Sequence, residues 1–330
     1  MTGSSLFRQD WLKVTLWLVG TMVLGALLAP WVFVGGKAFA EWVVAGGEAR
    51  QGLPLVGWVG EEALKADFKR YFNRAMLVAA LVLLWPLVKS LRGGDAAPHG
   101  LRLEKTPHRF GYLAVGWVMA SAILLAMGFS FVGVGFFRMR GEPEWGEWLT
   151  TALIAGFGAA VMEEIFFRGL LTGALLRRGR PLAVMLFVTT FFAVVHFLKP
   201  PEALYIPDET VDWRSGFFLT GIILRHMLEP EFLLAEFATL FAVGWVLMVA
   251  RMKTRSLWLS IGLHGGWVFG LKLFSACTRR DAPLEETLPW IGNDLKTGLV
   301  PLVLVSVTGI LVMSMTRKWR TPPALQGEKH

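Results

Sequence analysis

Long apolar blocks, separated by short charged clusters, set the pattern of the chain. About 20 apolar residues are needed to cross a bilayer as a helix. Eight stretches approach that length: 12–35, 75–91, 112–137, 149–176, 181–198, 232–250, 256–275 and 297–315. A further run, GFFLTGIIL at 216–224, is too short to span and reads as re-entrant or interfacial. The pattern predicts an all-α fold, a polytopic transmembrane helical bundle of about eight spans. Before the second span, KADFKRYF (65–72) reads as an interfacial amphipathic helix. The tail TPPALQGEKH (321–330) reads as disordered.

Composition supports the membrane reading. The 330 residues are 54% hydrophobic and only 18% charged, whereas a soluble domain carries about 25% charged residues. Basic residues precede the first apolar stretch, and AFA at 38–40 resembles a cleavage site. The stretch from Val14 to Phe33 exceeds the apolar core of a signal peptide, so it reads as a retained span. The net charge of +8 is spread in clusters between apolar blocks and forms no aromatic-interleaved basic face. The expected partner is therefore a lipid bilayer, not nucleic acid. A single cysteine, Cys277, excludes an intrachain disulfide and any zinc site built on cysteine pairs.

Charge also orients the spans. Lys and Arg gather in cytoplasmic loops. Here they gather in 92–111, 177–180, 251–255 and the tail from Arg317, whereas the intervening loops are acidic or mixed. Both termini are thus expected to be cytoplasmic, in a bacterial-type inner membrane.

One block breaks its own pattern. VMEEIFFRGLL (161–171) places Glu163, Glu164 and Arg168 inside the fourth span. Each such charge costs about 2.5–3.5 kcal/mol to insert and is a functional candidate by default. On a helix Glu164 and Arg168 are four residues apart and pair on one face. Glu163, about 100° away, faces elsewhere. A structural ion pair accounts for Glu164 and Arg168 but not for Glu163. Gly156, Gly158, Ala159 and Ala160 precede the motif and permit close helix approach. Burial disfavours a charged carboxylate, which suits a general base working near neutral pH.

Of six histidines, only His196 and His264 fall within predicted spans. With a rise of 1.5 Å per residue, Glu163 and His196 stand about 21–23 Å from the inner ends of their spans, and His264 only about 12 Å. Gly262, Gly265 and Gly266 flank His264, so backbone or substrate can come close.

The ordered set EEIFFR (163–168), FAVVH (192–196) and His264 resembles the CAAX protease and bacteriocin-processing family, or Abi proteins, of intramembrane proteases. The eukaryotic type II CAAX prenyl endopeptidase is a member. The resemblance covers about 149–272. It divides the chain into N-terminal transmembrane helices and loops (1–148), a protease core (149–275), and a last span with its tail (276–330). It implies that Glu163 activates water, supported by Glu164 and Arg168. His196 and His264 would position water, stabilise the oxyanion or bind a metal. If a metal is used, Glu163, His196 and His264 would form its ligand set, with zinc the possible ion. The implied substrate is a membrane-associated or prenylated, otherwise lipidated, peptide. One departure stands out: four residues after His264 lies Val268, where the family pattern has Asn or Asp.

Val268 keeps an alternative open, a catalytically impaired member acting as a membrane binding or immunity protein. A transporter with a proton-relay carboxylate would want broken helices or an internal repeat, and the sequence has no evident repeat.

Overall fold

The computed structural model describes residues 3–92, 108–141, 144–177, 179–201, 204–229, 236–292 and 294–318. The predicted disordered tail and most of the loop 92–111 lie outside them. In chain order the elements are α1 (Gly3–Ala45), α2 (Glu48–Gln51), α3 (Pro54–Lys65), α4 (Phe68–Arg92), α5 (Arg109–Gly133), β1 (Phe137–Met139) and α6 (Trp145–Glu164). A π-helical segment, Ile165–Leu171, continues α6 without a break into α7 (Thr172–Leu176). Then come α8 (Pro181–His196), α9 (Ser215–His226), α10 (Ala238–Thr254), α11 (Trp258–Cys277), β2 (Thr278–Arg280), α12 (Leu284–Thr287) and α13 (Leu299–Lys318).

Among the described residues, five helical stretches are long and apolar enough to cross a membrane: Asp10–Ala45, Phe68–Leu91, Arg109–Gly133, Trp145–Leu176 and Leu299–Arg317. Helices also occupy the other three predicted positions. These are α8, α10 and α11, of 16, 17 and 20 residues. The protein is an all-α integral membrane protein. At 12 residues, α9 is too short to span, as expected for 216–224.

The chain forms two compact units. One joins Met1–Ala96 to His196–Glu229. In it α1 packs along α4, α3 and α9. Gly216 allows the α9 contact, because a Cβ there would strike the Ala26 carbonyl. Phe33 of α1 meets Phe68 and Tyr71 edge-on, at 5.6 and 5.4 Å. This core corrects one expectation. KADFKRYF is not a separate interfacial helix: Lys65 closes α3, and Phe68, Tyr71 and Phe72 open α4 fully buried. Its aromatic residues were drawn into the core because α1 offers them a partner face. The exposed apolar residues nearby, Leu55 and Trp58, belong to α3.

The other unit joins Ala97–Val195 to Pro230–His330. Here α11 is packed between α5 and α6, and α10 packs on α13 and α11. Beyond the ends of α5 and α11, β1 and β2 pair antiparallel, with Arg138 opposite Arg279. Arg280 secures the following loop by donating to the carbonyls of Ala282 and Gly292 and to the Thr287 hydroxyl. Burial holds its guanidinium below the usual arginine range, with Glu285 opposing.

Candidate active site

Small residues bring α6 and α11 together. Ala152, Gly156, Ala160 and Glu164 recur every fourth position and are all buried, forming one stripe along the helix. Ala152 packs with Leu273 and Cys277, and Ala160 with Leu257 and Ile261, so the two helices run antiparallel. Gly156 faces the Gly265 carbonyl, where an added Cβ would lie at 2.8 Å. The other glycines of α11 serve the opposite contact. Cβ atoms at Gly262 and Gly266 would strike the carbonyls of Leu113 and Trp117 on α5, and one at Gly265 would strike the Trp117 ring. The close approach these glycines permit is thus helix backbone on helix backbone. Gly158, by contrast, faces open space.

At the end of the stripe lies a bonded chain of charges. Arg168 Nη1 donates to Glu164 Oε1 at 2.9 Å, and both side chains are fully buried. The same oxygen lies 2.9 Å from His264 Nδ1. Arg168 Nη2 donates to the Gly244 carbonyl of α10 at 3.1 Å. Phe192 of α8 closes the cluster, its ring 4.3 Å from the Arg168 guanidinium and 5.9 Å from the imidazole of His264. Gly244 sits against Phe192, where a Cβ would lie 3.0 Å from the ring. Four elements therefore converge on one buried guanidinium.

Glu163 points differently, as its position on the helix requires. Its side chain is 31% exposed, and its Oε2 lies 3.9 Å from Nε2 of His264. His264 thus touches Glu164 with one ring nitrogen and faces Glu163 with the other. The sequence estimate set His264 about 9–11 Å, nearly two turns, closer to the inner face than Glu163. Side chains on a helix slope back toward its N-terminus. The register set by Gly156 against Gly265 and Ala160 against Ile261 corrects that estimate: it places His264 on the N-terminal side of Glu164 along α6, and on antiparallel helices the two side chains then slope toward each other.

Immediately after the two glutamates the helix widens into the π segment. The Thr172 hydroxyl there donates to the Phe167 carbonyl, five residues back, at 2.7 Å. π-bulges inside α-helices are frequent at functional sites. Nothing in the local composition announced this one. Phe192 and Gly244 were likewise missed as parts of the site. Phe192 was visible as the first residue of FAVVH, but its contacts come from tertiary packing.

His196 is the last residue of α8, one turn beyond Phe192, at the point where the chain passes from one unit to the other. Val268 is half-buried on α11, and Lys272 is exposed. As metal ligands, Glu163 and His264 offer one oxygen and one nitrogen, but a zinc site needs three or four donors. No group of three or more His, Cys, Asp or Glu among the described residues is placed to hold an ion. The described donor set does not complete a metal site.

A family model for type II CAAX prenyl endopeptidases, Rce1-like, matches residues 145–270. Over those residues the chain is similar to that family. The matched segment runs from the first residue of α6 into α11 and contains the whole Glu163–Glu164–Arg168–His264 cluster. The Rce1-like family is one of proteases. No match is found among curated proteins or solved structures.

Proposed function

We infer that the protein is an intramembrane endopeptidase that hydrolyses a peptide bond in a membrane-associated or prenylated substrate, with Glu163 as the base that activates water. The observation that carries this reading is the position of His264 between the two glutamates. The 3.9 Å from Glu163 Oε2 to His264 Nε2 is too long for a hydrogen bond. It is short enough for one water to lie about 2.8 Å from each. Glu163 takes a proton from that water as its oxygen attacks the scissile carbonyl carbon. The proton then passes to the amide nitrogen as the C–N bond breaks, giving a carboxylate and an amine.

Glu164 has a different role. An ionised carboxylate only accepts hydrogen bonds, so its contact with Nδ1 sets the ring to carry a proton there. Nε2 is then directed at the reacting water. Arg168, held by the Gly244 carbonyl, balances the buried Glu164 charge. His196 is proposed as the second imidazole, which positions the water or the developing oxyanion. The chain is further proposed to reside in a bacterial inner membrane with both termini cytoplasmic.

Val268 favours a second reading, a member with impaired catalysis that binds or protects membrane proteins. Losing an oxyanion donor costs about 10²–10³ in rate. In that case Glu163→Gln would leave the cellular phenotype intact. The test of the main reading is a cleavage assay with the purified full chain and a prenylated peptide in detergent micelles, read by mass spectrometry. Two fragments summing to substrate plus one water support it; an intact peptide under all conditions contradicts it.

A further inference from the structure

Outside the charged cluster, α10, α13 and α8 enclose an apolar groove of about 380 Å³. Its floor on α10 includes Phe241 and Trp245, whose rings stack at 6.4 Å. Its opposite wall is Ser306, Gly309 and Met313 of α13. Gly309 lets the helices touch, since a Cβ there would lie 2.8 Å from Val246. Because α11 lies between α10 and α13 in the chain and returns across the bundle, α10 and α13 run parallel. Both leave the groove at their C-terminal ends.

Those ends are basic. One turn past Val249 stands Lys253, then Arg255; one turn past Met313 stands Arg317. Arg180 precedes α8, whose Leu186 also lines the groove. Lys253, Arg255, Arg317 and Arg180 are all exposed. No Asp or Glu occurs in 177–186, 249–258 or 313–318. Basic residues near span ends are expected of any membrane protein. What is particular here is an apolar groove whose two walls, α10 and α13, both run on to them.

The dimensions select the occupant. At about 380 Å³ the groove would hold less than one turn of a helix that is about 10–12 Å across with its side chains. A single hydrocarbon chain fits, and about 6 Å of rise from Val249 to Lys253 puts a headgroup beside the ammonium. We propose that this groove is a binding site for an anionic phospholipid, with one acyl chain along Phe241 and Trp245 and the phosphate between Lys253 and Arg317. The site does not depend on the protease assignment.

Trp245 provides the readout. The full chain is reconstituted in phosphatidylcholine vesicles containing a minor fraction of phosphatidylglycerol, with brominated acyl chains on one lipid or the other. The Trp245 signal is taken as wild type minus Trp245→Phe. Brominated phosphatidylglycerol should quench it at a mole fraction at least about fivefold lower than brominated phosphatidylcholine. This corresponds to one basic contact at an anionic surface. Lys253→Gln with Arg317→Gln should erase that preference. Equal quenching by both lipids shows ordinary boundary lipid and overturns the proposal. So does a preference for phosphatidylglycerol that survives the double substitution. The wild-type comparison decides the headgroup question even if the double variant does not fold.

Discussion

Glu163 and Glu164 are adjacent in sequence, yet their loss should produce different failures. Glu164 is fully buried and shares one oxygen between Arg168 and His264. Glu164→Gln leaves the Arg168 charge buried without its counter-charge, which costs about 3–5 kcal/mol. It should lower the thermal unfolding midpoint in detergent as well as activity. Glu163 is 31% exposed and lies outside that pair. Glu163→Gln strands no buried counter-charge and removes a charge that is costly within a span, so it should leave the unfolding midpoint unchanged or raise it. Equal destabilisation by the two substitutions, read on the same melt, would remove the distinction between support and base. This division was legible in the sequence, because a spacing of four pairs Glu164 with Arg168 and rotates Glu163 away. The bond from Glu164 to His264 was not legible. It depends on the register of two helices whose motifs lie 100 residues apart.

The helix pair α6–α11 carries that register, and its glycines test it. Gly156→Ala would place a Cβ 2.8 Å from the Gly265 carbonyl, a backbone atom that cannot rotate aside. The helices must separate, at a cost of about 1–3 kcal/mol, and cleavage should fall with them. Gly158→Ala, two residues on, meets nothing within 4 Å. It should be neutral or stabilise by up to about 1 kcal/mol through helix propensity. Thermal melts of both variants check the pair. Small residues before the motif marked a packing face in the sequence, but four candidates within five positions did not say which would face α11. The π segment was hidden for a similar reason. Its sequence, IFFRGLL, is ordinary for a span, and the widening is held by the Thr172 hydroxyl and by Arg168 reaching α10.

At the scale of the whole molecule, the apolar blocks sufficed to place helices at all eight expected positions, while the boundary near residue 68 was set by tertiary burial of Phe68 and Phe72. The orientation drawn from basic loops predicts that a reporter at the C-terminus is active only in the cytoplasm; periplasmic activity would reverse the topology. The proposed function rests on Glu163 within this scaffold. The most direct test compares the purified full chain with Glu163→Gln on a membrane-associated peptide at equal folded concentration. A general base contributes about 10²–10⁴ to rate, so cleavage should fall at least 100-fold while helical content is unchanged. Cleavage at the wild-type rate by Glu163→Gln would contradict the account.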